Sequence, residues 1–164
     1  MKALSLFLCV ALTVLGSEAP AQSSRLTMDV LRNSQYLIDN ETIKLKNGKY
    51  LRKTPDNFMD ARLSKVAFGD LNNDGVEDAA VLLIYSGGGS GSFYLLFAVI
   101  NKNGTPYNAA STLLGDRVVV ESFNIKSGRI SIDMITHGPD DPSCCPTLKE
   151  VIRYKLAGGK LMEE

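Results

Sequence analysis

Val66-Ala67-Phe68-Gly69-Asp70-Leu71-Asn72-Asn73-Asp74-Gly75-Val76-Glu77-Asp78-Ala79-Ala80-Val81-Leu82-Leu83-Ile84 is the stretch on which the reading of the chain turns. Two apolar runs, the second rich in β-branched residues, flank a loop with an acidic or amide side chain at alternate positions. Asp70, Asn72, Asp74 and Asp78 occupy positions 1, 3, 5 and 9 of a D-x-N-x-D-G-x-x-D pattern, with Gly75 at position 6. Alternate residues of a tightly wound loop can aim oxygens at one point, as a hard cation such as Ca²⁺ requires. Gly75 supplies the positive φ that such a turn needs. An EF-hand would place a bidentate Glu at position 12, where Val81 stands, and no long helix is signalled on either side. The stretch therefore reads as strand, loop, strand. The loop is either an ion site or an acidic turn, because Asp and Asn also cap turns without metal.

Working outward, tight turns and alternation dominate. Asn47-Gly48 predicts a hairpin folding residues 43–46 onto 49–52, and Asn103-Gly104 predicts another. Residues 53–62 read as a loop around Pro55. Residues 79–85 are apolar almost throughout, which predicts an interior strand covered on both faces. The Gly/Ser run at 86–92 completes neither phosphate-loop pattern and leads into a β-prone segment, so it reads as a strand connection. Ile130, Ile132 and Met134 alternate with polar residues in a half-buried hairpin, and residues 148–156 form a last long strand before a short end. One short helix is expected within residues 24–33, capped by Ser24 or Thr27. The fold class that follows is α+β, β-dominated: a single antiparallel domain of about eight strands with one N-terminal helix.

Residues 1–21 read as a secretory signal peptide, with Lys2, an apolar segment, and a small-residue cleavage site ending at Ala21. Cys9 lies inside the apolar segment, so export without a lipid anchor is expected, and residues 22–164 form the domain. The whole chain carries 18 basic and 18 acidic residues, and loss of Lys2 and Glu18 keeps the balance. No block of basic residues occurs, so nucleic acid is not favoured as a partner.

The second constellation is His137-Gly138-Pro139-Asp140-Asp141-Pro142-Ser143-Cys144-Cys145-Pro146. After export the two adjacent cysteines are the remaining thiols, and an oxidising compartment favours a bond between them. Zinc ligation by His137, Cys144 and Cys145 fits poorly with Cys-Cys adjacency. Thioredoxin-type chemistry uses C-x-x-C at a helix start, which is absent. A bond across adjacent residues closes a minimal loop and removes little entropy from the unfolded chain, so it should shape a surface and not staple the fold. His137 is the only histidine. A hydrolase would have to use it with Asp140 or Asp141, and a thiol oxidoreductase would use Cys144 and Cys145. The leading expectation is non-enzymatic binding of an envelope protein or polymer.

Phe68 to Asp78 resembles the FG-GAP and related aspartate-rich loops of secreted β-propellers. The resemblance implies Ca²⁺ bound through Asp70, Asn72, Asp74, the Val76 carbonyl and Asp78. A propeller needs several copies and the chain has one, so the loop carries over and the propeller does not. The Gly-Pro-x-Asp-Pro-x-Cys-Cys-Pro-Thr segment, with Leu114-Gly115-Asp116-Arg117-Val118, resembles exported bacterial domains of unknown function that include LppP/LprE-type lipoproteins. That resemblance implies a periplasmic or secreted, cell-envelope location and no established activity.

Overall fold

The computed structural model describes residues 25–164, and the expected signal peptide lies outside the described residues. Helix α1 (Met28–Arg32) is shorter than the span read from sequence. Thr27 caps it by accepting the Val30 N–H at 3.2 Å. A hairpin of β1 (Gln35–Ile38) and β2 (Glu41–Lys44) follows, closed by Asp39 and Asn40 at φ 49° and 64°. A five-stranded meander comes next: β3 (Lys49–Lys53), β4 (Phe58–Gly69), β5 (Asp78–Ser86), β6 (Phe93–Lys102) and β7 (Thr105–Asp116). A four-stranded meander ends the chain: β8 (Val119–Lys126), β9 (Arg129–Thr136), β10 (Leu148–Ala157) and β11 (Lys160–Glu163). Every strand pair is antiparallel. The domain is β-dominated with one short helix, as expected, and has eleven strands where about eight were expected.

Three layers result. Helix α1 and the β1–β2 hairpin cover one face of the large sheet, and the small sheet covers the other. Period-two alternation along β5 and β6 sends Ala79, Val81, Phe97 and Val99 to the hairpin side. Ala80, Leu96, Ala98 and Ile100 go to the side shared with Ile130, Ile132, Met134 and Tyr154 of the small sheet. Residues 79–83 are entirely buried, which is why β5 reads as a continuous apolar run. The sheets approach closely at Gly69, where an added Cβ would lie 2.7 Å from Ile125 Cγ2. Glycine there permits contact that any side chain would prevent.

Two local expectations are corrected. Asn47-Gly48 does turn, with φ 51° and 80°, but pairing stops at the Lys46–Lys49 bridge. The turn's groups serve other elements: Gly48 N–H donates to the Arg32 carbonyl at 2.7 Å, and the Gly48 carbonyl accepts from Leu63 at 2.8 Å. Burial of Ile43 and Leu45 holds β2 over the sheet, while β3 joins its edge. The loop expected over residues 53–62 shrinks to 54–57, and β4 begins at Phe58. A bulge between Leu63 and Lys65 hid this strand. Met59, Ala61 and Leu63 face the same core as Val66 and Phe68, so the alternation changes parity midway.

Candidate functional site

Two loops at opposite ends of the small sheet contain the residues singled out above. The acidic loop is wound by its own side chains. Asp70 Oδ1 accepts from the N–H groups of Asn72 and Asn73 at 3.2 and 2.7 Å, and its Oδ2 accepts from Gly75 at 2.9 Å. Asn72 Oδ1 accepts from Asp74 N–H, Asn72 Nδ2 donates to Asp74 Oδ2, and Asp74 Oδ1 accepts from Val76 N–H. Partial desolvation would raise the Asp70 carboxyl, but the N–H groups of Gly75, Asn73, Asp74 and Asn72 together outweigh it and hold it below its ordinary value.

Asp78 behaves differently. It is fully buried, and its two oxygens accept from Leu71 N–H at 2.9 Å and Asn101 N–H at 2.8 Å. Burial pushes its carboxyl upward against the effect of those two bonds, and the charges of Asp74 and Asp70 add to the rise. Asp78 thereby ties the acidic loop to the β6–β7 turn, where Asn101 Oδ1 accepts from Gly104 N–H at 2.6 Å. Among the described residues, no three His, Cys, Asp or Glu side chains form a group that could hold a metal ion. The oxygens of exposed Asn72 and Asp74 and of part-buried Asp70 suit a hard cation in kind, with the Val76 carbonyl and water to complete a shell. Asp78 has both oxygens engaged by core amides.

The second loop, residues 137–147, connects β9 to β10 and carries a disulfide between Cys144 and Cys145, whose Cα atoms are 3.8 Å apart across a trans peptide. Both cysteines are exposed. Asp141 closes the base of the loop: its Oδ2 accepts from Gly138 and Thr147 N–H at 2.8 and 2.7 Å, and its Oδ1 from the Thr147 hydroxyl at 2.8 Å. The Gly138 N–H, then the Thr147 hydroxyl and N–H, hold the Asp141 carboxyl below its ordinary value. A turn from Pro142 O to Cys145 N–H, 2.9 Å, orders the tip.

Arg117 carries the bracing that sequence reading missed. Its Nη1 donates to the Ser143 carbonyl at 2.6 Å and to Asp116 Oδ2 at 2.5 Å, and its Nη2 donates to the Ser90 carbonyl at 2.5 Å. Its own N–H donates to the Ser92 carbonyl, and Asp116 Oδ1 accepts from Ser92 N–H, both at 2.7 Å. One guanidinium thus joins the Gly/Ser loop, the β7–β8 corner and the disulfide loop. The sequence marked this corner only as a charged pair beside a glycine, within the Leu114–Val118 segment of the resemblance, and carried no sign of its partners. His137 is part-buried and lines a cleft of about 280 Å³ with Asp116, Asp141 and Ser143. It makes no hydrogen bond to a carboxylate among the described residues, and Asp140 is exposed on the loop. Comparisons with known protein families, with curated proteins and with solved structures find no match.

Proposed function

We propose that the chain is an exported, non-enzymatic binding domain of the bacterial cell envelope, periplasmic or secreted, that engages an envelope protein or polymer through the Cys144–Cys145 loop. The observation that carries this reading is an exposed disulfide tip held on both sides, by Asp141 at its base and Arg117 along its flank. Pre-organisation of this kind lowers the entropy lost on binding. The likeness to exported domains with the same Cys-Cys segment supports the envelope location. A catalytic reading is less well supported, because Asp141 is occupied by the Gly138 and Thr147 N–H groups and the Thr147 hydroxyl, with no hydrogen bond to His137 that would orient it as a base.

The test is capture from envelope extract by the immobilised domain. The wild type should retain a specific component. Cys144→Ser/Cys145→Ser and Arg117→Ala should each retain at least tenfold less while keeping the wild-type circular dichroism spectrum. Equal capture by all three proteins refutes the loop as the contact surface.

The proposal extends to Ca²⁺ on Asp70, Asn72, Asp74, the Val76 carbonyl and Asp78, with weak extracellular-type affinity. A ligand that binds only the folded state stabilises it by about 2.7 kcal/mol at a hundredfold excess over Kd. Millimolar Ca²⁺ should therefore raise the melting temperature modestly, and Asp74→Ala should abolish the rise. Identical melting in Ca²⁺ and in chelator identifies the loop as a self-capped turn.

A further inference from the structure

The small sheet gives one face to the core and leaves the other uncovered. Strand register assembles on that outer face cations that are scattered in sequence. Lys126 lies opposite Arg129, and Arg129 lies opposite Lys155, so three cations form one cross-strand row. The next row on the same face is Asn124, Ser131 and Arg153. All four cations are exposed. Arg129 pairs with Glu164 at 2.5 Å. Among the described residues, Lys126, Arg153 and Lys155 take part in no ion pair. Like charges directly opposite each other repel, so nothing in the fold itself favours this row. A hollow of about 280 Å³ is lined by Lys126, Arg129 and Arg153 together with Asn124, Ser127 and Ser131, which adds amide and hydroxyl donors to the charges.

We propose that this face binds a linear polyanion with repeating phosphate groups. Guanidinium and ammonium groups with neighbouring hydroxyl donors suit tetrahedral oxyanions. Neighbouring strands lie about 4.8 Å apart, so the row spans about 10 Å and accommodates more than one anionic group. A chain lying along the row, across the strands, stays clear of Asp133, which is four residues from Arg129 on the same face and about 13 Å away along the strand. A flat anionic membrane would meet Asp133 together with the cations, which disfavours it. Glu164 pairs with Arg129 within the row itself, so Lys126, Lys155 and Arg153 are the charges left to meet the polyanion. Neither row contains an aromatic side chain, so the face offers no platform for stacking nucleic-acid bases. The neighbouring acidic loop approaches the Ser127-Gly128 turn through Asn73, whose Oδ1 would lie 3.3 Å from a Cβ at Gly128. This site is independent of the disulfide loop, since the eight residues of β9 separate the two.

The experiment measures binding of inorganic polyphosphate to the folded domain by fluorescence anisotropy at two salt concentrations. The wild type should bind, and more weakly at high salt. Lys126→Gln/Arg153→Gln/Lys155→Gln should lose at least tenfold in affinity and show a shallower salt dependence, with no fall in melting temperature. Lys49→Gln/Lys53→Gln/Lys65→Gln, which removes exposed lysines of the large sheet, should bind like the wild type. The proposal is overturned if the wild type fails to bind, if the first triple variant binds within twofold of it, or if both triple variants weaken equally. Tighter retention by anionic phospholipid vesicles than by polyphosphate, lost in the first triple variant, also overturns it and assigns the face to a membrane surface.

Discussion

Asp78→Ala should destabilise the domain by about 4 kcal/mol, because it strands two buried N–H groups that cost about 1–3 kcal/mol each when unsatisfied. Those donors belong to Leu71, in the acidic loop, and Asn101, at the end of β6. The variant also removes a carboxylate whose burial is itself costly, which keeps the loss below the upper end of that range. Domains of this size are stable by about 5–15 kcal/mol, so the variant should sit near its folding limit. Asp78→Asn retains one acceptor but turns an amide N–H toward the second donor, so its loss should be intermediate. Urea titration at neutral pH reads both variants. Hydrogen exchange should show protection lost first at Leu71 and Asn101. A change below about 1 kcal/mol in Asp78→Ala means other acceptors take both amides, and the link through Asp78 is then dispensable.

Phe97→Ala should cost about 4 kcal/mol, within the range for emptying an aromatic site in a core. Phe97 is 1% exposed on β6 and meets the Tyr36 ring edge-on, with centroids 5.1 Å apart. Tyr36 is equally buried, and its hydroxyl donates to the Leu31 carbonyl at 2.9 Å. The pair therefore fastens the helix and the β1–β2 hairpin to the large sheet. The other ties of that layer lie at its margins, among them Tyr85 to Asp39, Asn108 to the Gln35 carbonyl and the Arg52–Glu41 ion pair. Loss of Phe97 from its centre should therefore loosen residues 25–46 before the two sheets separate. Proteolysis under native conditions should cut the variant first in that segment. A double-mutant cycle with Tyr36→Leu should return a coupling of about 0.5–1.5 kcal/mol. Simultaneous loss of all three layers, with no early cut, refutes the hairpin as a separately fastened layer.

The β-rich antiparallel class was legible because its signals are local. Asn103-Gly104 turns where expected, Thr27 caps the helix, and the apolar run at 79–83 occupies the buried centre. The acidic loop between β4 and β5 and the disulfide between Cys144 and Cys145 were legible for the same reason. Features that depend on where distant segments meet were not. Asn47-Gly48 carries a strong hairpin signal, yet the strands beside it join different sheets because Ile43 and Leu45 find their burial against β5 and β6. The bulge in β4 changes which parity faces the core, so a strand looked like a loop. Asp78 fits a ligand pattern when read along the chain, and only the fold shows that the end of β6 brings the Asn101 amide to it, which makes it a core tie as well.

By itself, then, the sequence determined the elements, most of their turns, the interior strand and the two conspicuous loops, since each is written within a dozen residues of chain. Only the tertiary structure decided that Arg117 braces the disulfide loop, that Asp78 belongs to the core, and that Lys126, Arg129 and Lys155 share one row. The physical reason is that these neighbours are set by contacts between distant segments. Strand register places Lys126, Arg129 and Lys155 on one face, where a shift of one residue would turn them to the other, and the convergence of three loops brings Ser90 and Ser143 to Arg117.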